Sequence, residues 1–166
     1  MQTKADPRFL LNIVGVLVAC SILARVYIWP RIRTLPRHEA LKILTLPHAF
    51  RFVGLSFLFA GPALPTELAE PAAYGDLVAA ILALAAFAAL ARRWPGDVPL
   101  TWVLNIWGTA DLLFAYYNGV SRNLDASQLG PVYYIPTIVV PMLLVVHAMT
   151  FVVLTRRGKQ APAPVT

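Results

Sequence analysis

The chain has 166 residues, 58% of them hydrophobic and only 13% charged, against about 45–50% and about 25% in ordinary soluble domains. Its net charge of +6 does not mark a nucleic-acid binder, because the basic residues stand between apolar runs and no recognition motif surrounds them. The single cysteine, Cys20, excludes an intramolecular disulfide and any CxxC metal or redox site within one chain.

A helix needs roughly 20 apolar residues to cross about 30 Å of hydrocarbon, and five runs reach or approach that length. Residues 9–29 form the first, interrupted by Asn12 and Arg25. Next comes "RHEALKILTL", residues 37–46, which sets Ala40, Leu41, Ile43 and Leu44 against Arg37, Glu39 and Lys42. This is the pattern of a short interfacial helix, although the same residues also read as the beginning of the second span.

The second span, 47–64, opens with "PHAFRFVGL". Pro47 suits a first helical turn, where no backbone N–H is missed, and His48 and Arg51 share a face at i, i+3. The third span, 72–91, is rich in alanine, with Pro71 near its start. In the fourth, 99–117, Asp97 is the expected N-cap and Asn118-Gly119 the stop signal. The fifth, 132–154, carries Pro136 and Pro141, which should bend it; a membrane helix tolerates this where neighbours or water satisfy the freed carbonyls. Residues 158–166 read as a disordered tail. The expected architecture is therefore one all-α integral membrane domain of five transmembrane helices in a lipid bilayer.

Charge orients this bundle. With the N-terminus outside and the C-terminus inside, the inner side receives Arg31, Arg33, Arg37, Lys42, Arg92, Arg93, Arg156, Arg157 and Lys159, and the outer side only Lys4, Arg8 and Arg122. The loop at 61–74 holds Glu67 and Glu70 but no Lys or Arg, as the positive-inside rule requires of an outer loop. The expected location is the bacterial cytoplasmic membrane. "LVAC", residues 17–20, resembles a lipoprotein acylation box, but the apolar run continues through "SILARVYIW" where a polar tether would follow.

Ionisable groups inside spans are costly and usually face the bundle interior or water. In the proposed orientation His48, Arg51, Asn105 and His147 form an inner-half polar set, and Asp76 and Asp111 an outer-half set. Asp111, the most deeply placed carboxylate, calls for a partner or a function; the others have a bland reading. Arg25 and Arg51 are near enough to the inner surface to snorkel, Asp76 would suit the positive end of its helix, and Asn105 would serve as interhelical glue. Gly108, within "NIWGTAD", permits close approach of another helix. Trp29, Trp94, Trp102, Tyr116, Tyr117, Tyr133 and Tyr134 lie close to span ends as an aromatic belt.

No P-loop, GxGxxG after a strand, HExxH or nucleophile-elbow motif is present. Three readings of function follow. The first is an accessory or structural subunit that docks a membrane-protein partner or a second copy of itself. The second is a small proton-linked transporter with Asp111 as its titrating group. The third is a redox protein whose His48 and His147 would ligate a b-type haem as its metal site, with Arg51 near a propionate. No catalytic residue stands out, and the chain is not expected to be an enzyme.

"LSFLFAGPALP" followed by "AAYGDLVAAILALAAF" resembles the small bacterial DoxX-type membrane proteins, which are short helical bundles. The likeness covers the second and third spans alone. It implies a bacterial inner-membrane bundle and carries over no functional residue.

The topology is tested with single cysteines at positions 38, 68, 125 and 158 in a Cys20→Ala background. An impermeant thiol reagent applied from outside should label 68 and 125 only, and labelling of 38 would overturn the N-out arrangement.

Overall fold

Prolines and glycines set most of the helix ends. The structure, a computed structural model, describes residues 7–156, and the expected tail at 158–166 lies outside them. Every regular element among the described residues is helical. Five helices are long and apolar enough to cross a membrane: α1 (Pro7–Ile32), α2 (Arg37–Phe59), α3 (Thr66–Ala91), α4 (Asp97–Ser121) and α5 (Ile135–Thr155).

Residues 37–46 are not a separate interfacial helix. Leu46 keeps right-handed helical angles, so the α-helical turns Arg37–Thr45 run directly into a 3-10 segment, Leu46–Phe59, with Pro47 in its first turn. This segment is 14 residues long, far beyond the few residues usual for a 3-10 helix. Its rise of about 2.0 Å per residue carries it about 28 Å, where an α-helix of the same length would span about 21 Å. A short apolar run thus reaches across the hydrocarbon. Three residues per turn also places Thr45, His48, Arg51 and Gly54 in one line, and all four are buried. The span stops five residues before its expected end, because Gly61 turns the chain with φ +96° ahead of Pro62.

The third helix begins at Thr66 and not at residue 72. Pro71 stands inside it, freeing a carbonyl near the helix end. At the start of α4 the N-cap is Gly96, and Asp97 is the first helical residue, its carboxylate 3.0 Å from His38 Nε2. That contact ties the beginning of α4 to the beginning of α2. The helix runs past Asn118-Gly119 to Ser121, and the chain then turns at Asn123, whose φ is +52°. Two short 3-10 turns within Ala126–Tyr133, separated by a kink at Gly130, then lead into α5, and Asp125 caps the first by accepting from the Ser127 N–H and hydroxyl. Those hydrogen bonds hold the Asp125 carboxyl below its ordinary value. Both π-turns, Ala24–Ile28 in α1 and Ile135–Val139 in α5, lie just ahead of a proline, Pro30 and Pro141, so the wider turn absorbs the missing N–H.

α3 is the central post, packed against α2 on one side and α4 on the other. Most of its buried residues are small: Ala73, Gly75, Ala79, Ala80, Ala83, Ala86 and Ala89 let both neighbours approach closely. α5 packs on α4 and on the start of α2, and α1 lies against α5 at the edge of the bundle. Only Ala24 and Ile32 of α1 are buried. Its Leu11, Val14, Val18 and Ile22 face outward, as lipid-facing residues would.

Ala86→Leu should therefore wedge α3 from its neighbours and lower stability by about 1–3 kcal/mol, whereas Ala85→Leu, on an exposed face of the same helix, should be neutral. Thermal unfolding of the two variants in detergent checks the contrast.

Candidate functional site

The line of residues on α2 points its longest member at the centre of the bundle. Arg51 is 1% exposed, and its guanidinium is shared between two helices. Nε donates to Asp76 Oδ1 on α3 at 2.6 Å, Nη2 donates to Asp111 Oδ2 on α4, and Nη1 donates to the Gly108 carbonyl at 3.2 Å. A planar fork with donors on all three nitrogens is what lets one side chain hold two carboxylates and a carbonyl.

The snorkelling expected of Arg51 is thereby corrected, because partners in the core replace the lipid phosphates it would have sought. The helix-end role expected of Asp76 is corrected as well, since α3 starts ten residues earlier and Asp76 sits within it, paired. Asp111 has the partner its depth demands.

Glycines make room for these contacts. A Cβ on Gly54 would collide with the Asp76 carboxylate, and one on Gly75 with the Asp111 carboxylate. On Gly108 it would lie 2.6 Å from His147 Cε1 and 2.9 Å from Arg51 Nη1. Each charged group thus lies against the bare backbone of a neighbouring helix.

Below Arg51 on the same line of α2, His48 stacks on His147 of α5, with ring centroids 3.9 Å apart and planes 27° from parallel. Asn105 on α4 clamps His147 from both ends: its Nδ2 donates to the His147 carbonyl at 3.3 Å, and its Oδ1 lies 2.7 Å from the ring Nδ1. Since a carbonyl only accepts, Nδ2 must face it, which leaves Oδ1 toward the ring and assigns the imidazole proton to Nδ1. The other ring nitrogen of His147, both nitrogens of His48 and the Thr45 hydroxyl are buried without a hydrogen-bond partner.

The two sets of polar residues, expected in separate halves of the bundle, are one constellation. Arg51 joins them. Along α4 the buried face reads Asp97, Thr101, Asn105, Gly108, with Asp111 following; the 14 steps from Asp97 to Asp111 rise about 21 Å. A column of polar groups therefore runs from the His38–Asp97 pair at one end of the bundle to the Arg51 triad. Beyond the triad lies an apolar cavity of about 600 Å³, to whose lining Asp76 and Asp111 both contribute.

A b-type haem does not fit the histidine pair. Two axial imidazoles stand on opposite faces of a porphyrin with iron between their nitrogens, whereas these rings lie face to face in contact and are enclosed by Asn105, Gly108 and Arg51. Among the described residues, no group of three or more His, Cys, Asp or Glu is placed to hold a metal ion.

Sequence reasoning missed Gly54, Gly75, Thr45, Thr101 and the His38–Asp97 pair. The signal for the first was present in the spacing, with Gly54 three residues after Arg51 and six after His48, but a helix of 3.6 residues per turn would have spread these positions over a wider face.

Fold and site together define a five-helix apolar bundle built around a buried ion-pair network. The chain belongs to a family described as "Domain of unknown function (DUF8737)", whose model matches residues 8–155. No curated protein and no solved structure matches it.

Removing the shared cation strands two carboxylates in the core. Arg51→Met should lower stability by about 3–5 kcal/mol, and adding Asp76→Asn and Asp111→Asn to it should recover most of that loss. Unfolding midpoints of the single and triple variants measure both effects.

Proposed function

We propose that this chain is a small proton-linked carrier of the bacterial cytoplasmic membrane, with its N-terminus outside and its C-terminus inside. One observation carries the reading: a single guanidinium is shared by two carboxylates deep in the bundle, with a cavity on one side and a polar column on the other. One positive charge between two carboxylates leaves a surplus negative charge where the dielectric is low. Either a proton or a bound group can compensate it. A group with two alternative ways of being neutralised can exchange one for the other, which is the elementary step of coupled transport.

Asp111 is the carboxylate assigned to carry the proton. Its side chain is 12% exposed against 8% for Asp76, and both line the cavity. The stacked histidines, Asn105, Thr45 and Thr101 supply donors and acceptors on the far side of Arg51, where a proton would travel to the His38–Asp97 pair. In the proposed orientation that pair is cytoplasmic and the cavity faces outward. The orientation rests on the excess of Arg31, Arg33, Arg37, Lys42, Arg92, Arg93 and Arg156 at one set of helix ends over Arg8 and Arg122 at the other.

A second reading, an accessory subunit that docks a membrane partner or another copy of itself, is favoured by α1, whose outward apolar side makes almost no contact with the rest of the chain. In that case the ion-pair network is a clasp and nothing more.

Infrared difference spectroscopy of the reconstituted protein separates the two. The carrier reading expects a protonated-carboxyl band that appears as pH falls and is absent from Asp111→Asn, with size-exclusion behaviour unchanged. Loss of assembly in Asp111→Asn, with no titrating carboxyl in the parent protein, would establish the clasp.

A further inference from the structure

The cavity beyond the triad is bounded by the first turns of α1, by α3, by the second half of α4 and by the start of α5. Its volume of about 600 Å³ is in the range that holds a drug-sized molecule. The walls are predominantly apolar and include four aromatic rings: Phe9, Phe57, Phe114 and Tyr116. Tyr116 spends its hydroxyl on the Pro136 carbonyl, 2.6 Å away, so it offers the cavity its ring and not a donor.

The charged groups of the lining are all of one sign. Asp76 and Asp111 are present, and among the described residues the lining contains no Lys, Arg or His. Arg51, the neighbouring cation, is occupied by both carboxylates and the Gly108 carbonyl. It takes Asp76 Oδ1 and Asp111 Oδ2, which leaves a second oxygen on each carboxylate for another partner.

We infer that the cavity is the binding site for a lipophilic monocation, an apolar molecule carrying one ammonium-like or phosphonium-like charge. Three features of the site select that class. The surplus negative charge at its inner end is matched by one positive charge and no more; a dication would be over-compensated and an anion repelled. Aromatic faces attract cations through their quadrupoles, and this attraction strengthens where water is excluded. The remaining wall area is apolar and would bind the hydrophobic body of the ligand.

This deepens the carrier reading and rests on it, since the same surplus charge would be compensated by a proton on Asp111 when no cation is bound. Binding of the cation then releases that proton to water: the carboxyl O–H breaks, the carboxylate keeps the electron pair, and the ligand's fixed charge takes the proton's place. Besides Arg51 from α2, the charged or titratable groups around the triad are Asp76 from α3, Asp111 from α4, His48 from α2 and His147 from α5.

The test uses two ions of the same shape and opposite charge. The full chain, purified in detergent, is titrated calorimetrically with tetraphenylphosphonium and, separately, with tetraphenylborate. Saturable binding of the cation and none of the anion is expected, with affinity reduced roughly tenfold or more in Asp111→Asn, where a buried charge partner is removed. Ala115→Trp, which fills the cavity from α4 and leaves Arg51 and both carboxylates in place, should abolish cation binding while the Asp111 infrared band persists. Equal binding of the borate, or cation affinity unchanged in both variants, would overturn the proposal. A titrating Asp111 with no cation binding removes the ligand class and leaves the carrier; cation binding without a titrating carboxyl removes the proton linkage and leaves the site.

Discussion

Everything near the middle of this bundle is arranged around one buried guanidinium. An arginine in a bilayer interior is stable only when its donors are met, and Arg51 meets its own with two carboxylates and a backbone carbonyl drawn from α3 and α4. The consequence is mechanical as well as electrostatic. Neither Asp76 nor Asp111 can leave the cation without exposing a charge to hydrocarbon, so the relative positions of α2, α3 and α4 are set by the three side chains together.

Such a network needs helices closer together than ordinary side chains allow. The alanines of α3 bring α2 and α4 in along its length, and Gly54, Gly75 and Gly108 supply the last clearance at the points where charged or aromatic groups cross between helices. The unusual 3-10 course of α2 belongs to the same solution. It stretches a short apolar run across the membrane, and it stacks Thr45, His48, Arg51 and Gly54 in register, so that a single line of side chains serves both the histidine pair and the ion pairs. A regular α-helix over the same residues would be shorter and would turn this line away from the core.

The network also divides the interior into two unlike halves. On one side is a polar column with buried, unpartnered ring nitrogens; on the other is an apolar cavity with aromatic rings in its walls, whose charged groups among the described residues are carboxylates. The triad stands between them with a charge it cannot balance internally. One carboxylate would suffice for one guanidinium, so the second leaves a negative charge at the boundary of the two halves, and it is on this charge that the proposed carrier reading rests.

Composition and the lengths of the apolar runs were enough to read an all-helical chain with five membrane-length helices, because the bilayer imposes span length and buries backbone polarity in a way that is written residue by residue. The six polar residues of the core were legible for the same reason: His48, Arg51, Asp76, Asn105, Asp111 and His147 are each conspicuous inside an apolar run. Their partners were not. A rise of about 1.5 Å per residue and a helix starting at Pro47 place Arg51 near one surface, Asp76 near the other and Asp111 deep in the outer half. The continuous helix from Arg37 and the 3-10 rise of α2 bring Arg51 to the aspartates instead. The stacking of His48 on His147, like the closure of the triad, depends on which helices adjoin and how closely, and that is decided by small residues on α3 and α4 whose meaning appears only when the helices are packed. The amino-acid sequence by itself determined that the chain would place charges in the membrane; only the tertiary structure decided which charges would neutralise one another, because pairing is a matter of distance between helices that no single helix records.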